Sequence, residues 1–225
     1  MFRAGDDVDR TMKARIRDAA IALFSENGVK GTNVRAIAAA AGASPPLIVH
    51  HYGSKEALTA ECDRYVAEFL NERKRNGMRA GASFDPLAAL REARDGSMFL
   101  RYLAVRLAEG SPQVAAMVDE MVSDAAGYMA DGVESGMLRP TNYPYERAVV
   151  LTIWSLGALV LREHLERLLG VDIAAVPQEP TAASAYVGPV LEILTDGIVD
   201  ADIAAKMRAA FVEDPTSTEK KDDRP

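Results

Sequence analysis

Residues 11–58 read TMKARIRDAAIALFSENGVKGTNVRAIAAAAGASPPLIVHHYGSKEAL. Apolar residues recur at helical spacing through Ile16, Ala19, Ala20, Leu23 and Phe24, and Gly28 is well placed to end a first helix over 12–27. Thr32 or Asn33 can cap a second helix whose inner face carries Val34, Ile37, Ala38 and Ala41. Beyond Gly42, Ser44 can cap a third, with Pro45 at the first helical position, where its missing N–H matters least. Gly53 breaks the chain again, and Ser54 can cap a long fourth helix running to about Asn76. Three helices with a tight turn between the second and third are the layout of a DNA-reading helix-turn-helix.

Charge points the same way. The 225 residues hold 26 Lys/Arg and 33 Asp/Glu, a net charge of −7. Arg10 to Lys55 nevertheless holds seven Lys/Arg against two acids, while residues 56–225 hold 18 against 28. An acidic chain that gathers its positive charge into one small module is expected to set that module against an anion.

Bulk properties narrow the class further. With 48% apolar residues a substantial core is available, which excludes wholesale disorder. The single cysteine, Cys62, cannot form an intrachain disulfide and fits a reducing compartment. Met1 to Asp9 carries three acids and no apolar run, unlike a secretory signal. The longest apolar stretch, Ala148 to Leu161, falls short of the roughly 20 residues a membrane span needs. A soluble, cytoplasmic protein without membrane attachment is expected.

No segment alternates like a strand, so the fold expected is all-α: a three-helix head on a larger helical body. Residues 1–10 read as a flexible arm, 11–56 as the helix-turn-helix, 57–212 as the body and 213–225 as a charged, disordered tail. Within the body, helices are expected near 85–94, 97–109 and 112–134. A single very apolar helix follows over 145–169, then one over 181–198 that Pro189 should kink or delay, and one over 200–212.

The segment Ile16-x-x-Ala19-Ala20-x-x-Leu23-Phe24-x-x-x-Gly28, then Thr32-x-Val34-x-x-Ile37-Ala38-x-x-Ala41-Gly42-x-Ser44, then Ile48-x-x-His51-Tyr52-x-Ser54-Lys55-Glu56-x-Leu58 resembles the DNA-binding head of the tetracycline-repressor-like (TetR) family. The resemblance covers about a fifth of the chain. It implies a homodimeric transcriptional regulator, usually a repressor released from a near-palindromic double-stranded operator by a small-molecule effector bound in the body. It also implies a DNA-facing set: Thr32, Asn33, Arg35, Ser44, Pro45, Pro46, Leu47, His50, His51 and Lys55. Arg35 matches a position that reaches base or phosphate, and an arginine there can fork onto guanine O6 and N7. Pro45, Pro46 and Leu47 match the exposed start of the recognition helix; lacking donors, they would read thymine methyls and groove shape. His50 and His51 match backbone-contacting positions, and Lys55 lies where an ammonium and helix N–H groups can grip one phosphate. Val49 departs from the pattern by replacing a tyrosine whose hydroxyl donates to phosphate, and the Pro45-Pro46 pair is also unusual.

In the body, Met98, Phe99, Tyr102, Met117, Met121, Tyr128 and Trp154 are large, adaptable side chains that could wall an effector pocket or simply fill the core. Along 145–169 and 181–198, Leu151, Ser155, Ala158, Leu159, Arg162, Tyr186, Val190 and Ile193 are candidates for a four-helix dimer interface of the kind the resemblance implies. Catalysis is not expected. The chain has no glycine-rich phosphate loop, no HExxH and no paired-cysteine motif, and its three histidines and one cysteine offer no metal set. No cofactor is expected either. The competing reading is a helical adapter whose head no longer binds DNA specifically.

Overall fold

A computed structural model describes residues 4–93, 96–175 and 184–211, with side chains from residue 11 onward apart from 90–95 and 211. The described residues are helical without strands, as the all-α reading requires. Helix α1 spans Ala4–Gly31, α2 Val34–Ala41, α3 Pro45–Tyr52 and α4 Lys55–Ala80. A short 3-10 turn, Gly81–Ser83, leads to α5 (Pro86–Ala93), α6 (Ser97–Glu109), α7 (Pro112–Glu134), α8 (Pro144–Val160) and α9 (Arg162–Leu169). Two further helices, α10 (Ser184–Thr195) and α11 (Ala201–Phe211), close the order. The chain separates into two compact units, Met1–Ala182 and Ala183–Pro225.

Local chemistry sets many of these boundaries. Asn33 caps α2 by accepting the Ala36 N–H at 2.9 Å, and Ser54 and Ser111 do the same for α4 and α7. Four helices (α3, α5, α7 and α8) start on proline, whose fixed φ suits the first turn. The turn between α2 and α3 passes through Gly42 at φ 62°, a left-handed conformation that glycine adopts without steric cost.

Several boundaries differ from the sequence expectation. Helix α1 begins at Ala4, so residues 4–10 of the expected arm are helical; residues 1–3 lie outside the described set. Gly28 leaves the helical region at φ 71°, ψ 165°, so the first helical stretch ends there as expected, and a further helical segment carries α1 on to Gly31. Helix α4 continues through Gly77 to Ala80, since a single glycine costs a long helix only about 1 kcal/mol. The helix expected over 145–169 is two helices, bent by 71° at Leu161 with no glycine or proline at the bend. That turn lets Val171 and Ala174 tuck into the body's core. Helix α10 starts at Ser184 and runs through Pro189, which removes one backbone donor without ending it. The expected tail, 213–225, lies outside the described residues.

The main core does not belong to the head alone. Ile16, Ile21 and Phe24 of α1, Ile37 of α2, Ile48 of α3 and Leu58, Cys62 and Val66 of α4 pack with Phe99 and Tyr102 of α6. Burial of each such aliphatic or aromatic side chain contributes about 1.5–3 kcal/mol. Helix α1 therefore lies against α6, and the head is seated on the body by continuous apolar packing. A second cluster joins Met117 and Met121 of α7 to Leu156 and Leu159 of α8, and a third holds Tyr128, Met129 and Ala148. Among the described residues no single helix is long and apolar enough to cross a membrane.

Candidate DNA-reading face, junction and effector cleft

The recognition helix α3 is held from beneath by one residue and from its end by another. Ile48 is buried in the head core, and the Tyr52 hydroxyl donates to the Lys13 carbonyl oxygen at 2.7 Å, tying the end of α3 to α1. Burial pushes the Tyr52 phenol well above its usual range, so it stays a donor. This leaves Ser44, Pro45, Pro46, Val49 and His50 exposed along the other side, with Leu47 half-buried. Val49 is 54% exposed, an apolar side chain on the outer surface of the helix. His50 and His51 meet edge to face, with ring centroids 5.4 Å apart. Arg35 is exposed on α2, and its side chain forms no hydrogen bond or ion pair among the described residues.

Three members of the expected DNA-facing set have other engagements. Thr32 is only 4% exposed, and its hydroxyl lies within bonding distance of the Gly28 and Leu23 carbonyl oxygens, 2.9 and 3.2 Å. It holds the α1 break together from inside the head. Asn33 uses its carbonyl oxygen as the α2 cap. Lys55 donates from Nζ to the Val29 carbonyl oxygen at 2.5 Å, leaving two ammonium protons for any phosphate.

The short segment after Gly28 is gripped from both sides. Lys55 takes the Val29 carbonyl, while Glu109 at the end of α6 accepts the Val29 N–H at 2.9 Å. Glu109 also pairs with Arg106. Arg106 forks onto Asp63 of α4, with Nε to Oδ1 and Nη2 to Oδ2 both at 2.8 Å, and the Tyr102 hydroxyl donates to the same carboxylate at 2.6 Å. Arg106 and Asp63 are 5% and 6% exposed. The hydrogen bonds that Arg106 donates to Asp63 hold the arginine firmly protonated, while burial raises the Tyr102 phenol. A chain of polar contacts thus runs from Asp63 of α4 through Arg106 and Glu109 of α6 to the last turn of α1. A groove of about 370 Å³ opens beside it, lined in part by Lys30, Lys55, Thr59 and Gln113. The sequence reading missed this junction, because nothing local marks partners 43 and 80 residues apart.

Among the described residues the seven expected pocket residues fall in separate packing groups. Phe99 and Tyr102, with Met98 against them, belong to the head's core; Met117 and Met121 lie in the second cluster and Tyr128 in the third; Trp154 is on the surface. A cleft of about 570 Å³ opens elsewhere, between the end of α4, the 3-10 turn, α5 and the start of α6. Its walls include Leu70, Met78, Phe84, Leu100 and Met137, with Arg73 and Lys74 at the same site; none of the seven lines it. The basic pair Arg73-Lys74 shortly before the glycines Gly77 and Gly81 was the available signal.

The expected dimer residues also divide. Leu159 is buried in the chain's own core, whereas Ser155 is exposed and bonds to the Leu151 carbonyl oxygen. Leu151, Ala158 and Arg162 are half-buried. The outer face of α8 instead presents Val150, Ile153 and Trp154, followed by exposed Leu161 at the break, with Ile153 51% exposed. In the second unit, Tyr186 and Val190 are half-buried and Ile193 is exposed beside Val187, Leu191 and Leu194.

This geometry defines a helix-turn-helix DNA-binding protein with an appended helical body. Residues 16–62 match the family of bacterial regulatory proteins described as tetR, and residues 96–200 match the tetracyclin repressor-like C-terminal domain. The chain is 33% identical over 191 residues to the HTH-type transcriptional regulatory protein RaaS of Mycobacterium tuberculosis, covering 85% of this chain and 88% of that one. Among solved structures, the TetR family regulator PfmR of Thermus thermophilus superposes with a TM-score of 0.50 at 21% identity, over 83% of this chain and all of that one. A TetR-family protein from a Rhodococcus species gives 0.55 at 18%, again over 83% of this chain and 100% of its own. The chain belongs to the TetR family: it is a transcriptional regulator with an N-terminal helix-turn-helix DNA-binding domain and a C-terminal ligand-binding domain.

Proposed function

We propose that the protein is a homodimeric repressor whose grip on a near-palindromic operator is weakened by a small molecule bound in its body. The observation that carries the reading is the seating of the head: α3 stands exposed on one side, and the body clamps Val29 through Glu109. Two such heads would enter successive major grooves about 34–36 Å apart. Arg35 supplies the base contact, Pro45, Pro46 and Val49 the apolar contact with thymine methyls, and Lys55 with His50 the phosphate contacts. The exposed apolar face of α8, including Ile153 and Trp154, supports pairing of two chains. A ligand that moves α4 or α6 changes the angle at which the junction holds the head. A coupling of about 1–3 kcal/mol would weaken operator binding some 5- to 150-fold.

Fluorescence anisotropy with duplexes taken from upstream of the protein's own gene tests the proposal. Affinity should fall steeply with salt and one near-palindromic segment should stand out. Absence of salt-dependent binding to any duplex would favour the adapter reading, to which the donorless Val49 lends support.

A further inference from the structure

Helix α4 carries four cations over two turns, and they are treated differently by their surroundings. Arg75 and Arg79 face acids of α7, lying 3.8 Å from Asp124 and 2.9 Å from Asp131. Arg73 and Lys74 have no acid partner among the described residues. Each lies over an aromatic ring instead: the Arg73 guanidinium carbon is 4.8 Å from the Phe69 centroid, and Lys74 Nζ is 5.8 Å from that of Tyr128. Both residues line the 570 Å³ cleft, whose remaining surface is chiefly apolar. Among the described residues the carboxylate lining that cleft is Asp85, whose Oδ1 accepts the Leu87 and Ala88 N–H groups at the start of α5. Gly96 leaves room for the Arg73 guanidinium: a Cβ added there would lie 3.0 Å from Nη1. Arg73 is half-buried and Lys74 is exposed, so both cations can be reached from the cleft.

We propose that this cleft binds an amphipathic organic anion, with its carboxylate or phosphate at the Arg73–Lys74 end and its apolar body along Leu70, Met78, Phe84 and Met137. The inference rests on reading the body as the effector-binding domain. The cleft's volume falls in the range of about 300–1,000 Å³ usual for small-molecule sites. Charge makes the choice of class. A neutral ligand would strip water from two cations without replacing it, and a cationic one would add repulsion. An anion satisfies both cations, and a guanidinium can hold either a carboxylate or a phosphate through two parallel hydrogen bonds.

The test uses the full-length protein and four ten-carbon probes below their micellar concentrations: decanoate, decyl phosphate, decanol and decyltrimethylammonium. Calorimetric titration should show binding of at least one anion at least tenfold tighter than decanol, and none of the cation; the two anions tell carboxylate from phosphate. Arg73→Gln with Lys74→Gln should weaken anion binding at least tenfold while leaving the decanol affinity within twofold. Binding of no probe, equal binding of decanol and the better anion, or an anion affinity within twofold in the double variant overturns the inference. Operator affinity is read separately. Anion binding that leaves operator affinity unchanged supports the cleft's assignment and defeats the effector reading; release by decanol but by neither anion does the reverse.

Discussion

Asp63→Ala tests whether the buried charge junction secures the head. Asp63 accepts three hydrogen bonds, two from Arg106 and one from Tyr102, and the pair is about 95% sequestered from solvent. Removing the carboxylate leaves a buried guanidinium with Glu109 alone and a buried phenol without its acceptor. Breaking such a pair from one side costs about 3–5 kcal/mol. For a chain of this size that corresponds to a fall of roughly 6–20 °C in Tm. Asp63→Asn, which keeps an acceptor oxygen but no charge, should fall between. The decisive comparison is the double variant Asp63→Ala with Arg106→Met. It removes the orphaned charge and fills its space with an apolar side chain, so it should recover at least half of the loss. Scanning calorimetry with urea titration measures all four proteins. The reasoning fails if the single variant costs less than about 1 kcal/mol, below the range for a broken buried pair, or if the double variant is no more stable than the single.

Arg35→Ala should lose discrimination among operator sequences by about 1–3 kcal/mol, the worth of one bidentate base contact, with little change in nonspecific binding. Lys55→Ala should weaken binding to all duplexes and reduce the salt slope by about one, as anisotropy across a salt series will read; an unchanged slope with a lowered Tm would mean that Lys55 serves only the Val29 carbonyl. Burial pushes the Cys62 thiol far above its ordinary value, so iodoacetamide near pH 8.5, the ordinary thiol pKa of about 8.5, should leave the folded protein unlabelled and label it in urea. Mass spectrometry would count rapid labelling of folded protein against that placement. Ile153→Glu should convert a dimer to a folded monomer in light scattering, with its melting curve still cooperative; a persistent dimer would exclude the α8 face as the interface.

The head was legible because its determinants are local. Asn33, Gly42, Pro45 and Ser54 act within three or four residues of themselves, although Ser44 makes no side-chain cap bond, and the apolar spacing of Ile16, Ala20 and Phe24 reports one helix face. The effector and dimer residues were harder to read because size and softness signal burial without saying against what. Phe99 and Tyr102 look like pocket walls, yet α1 covers them. Trp154 has the same character and lies outside. Helix α8 packs on the body with Leu159 inward, which leaves Val150 and Ile153 on its outer side. The Asp63–Arg106–Glu109 junction exists only once α4 and α6 are side by side.

The sharing of one apolar core between α1 and α6 bears on engineering. Chimeric regulators are most simply made by cutting after the third helix and fusing the resulting reader to a foreign sensor. Here such a graft would strip the cover from Phe24 and present Val29 with whatever happens to end the new sensor's sixth helix. A transplantable reader from this chain must therefore bring the Ser97–Glu109 segment with it, or the recipient must already carry an acid in register with Glu109.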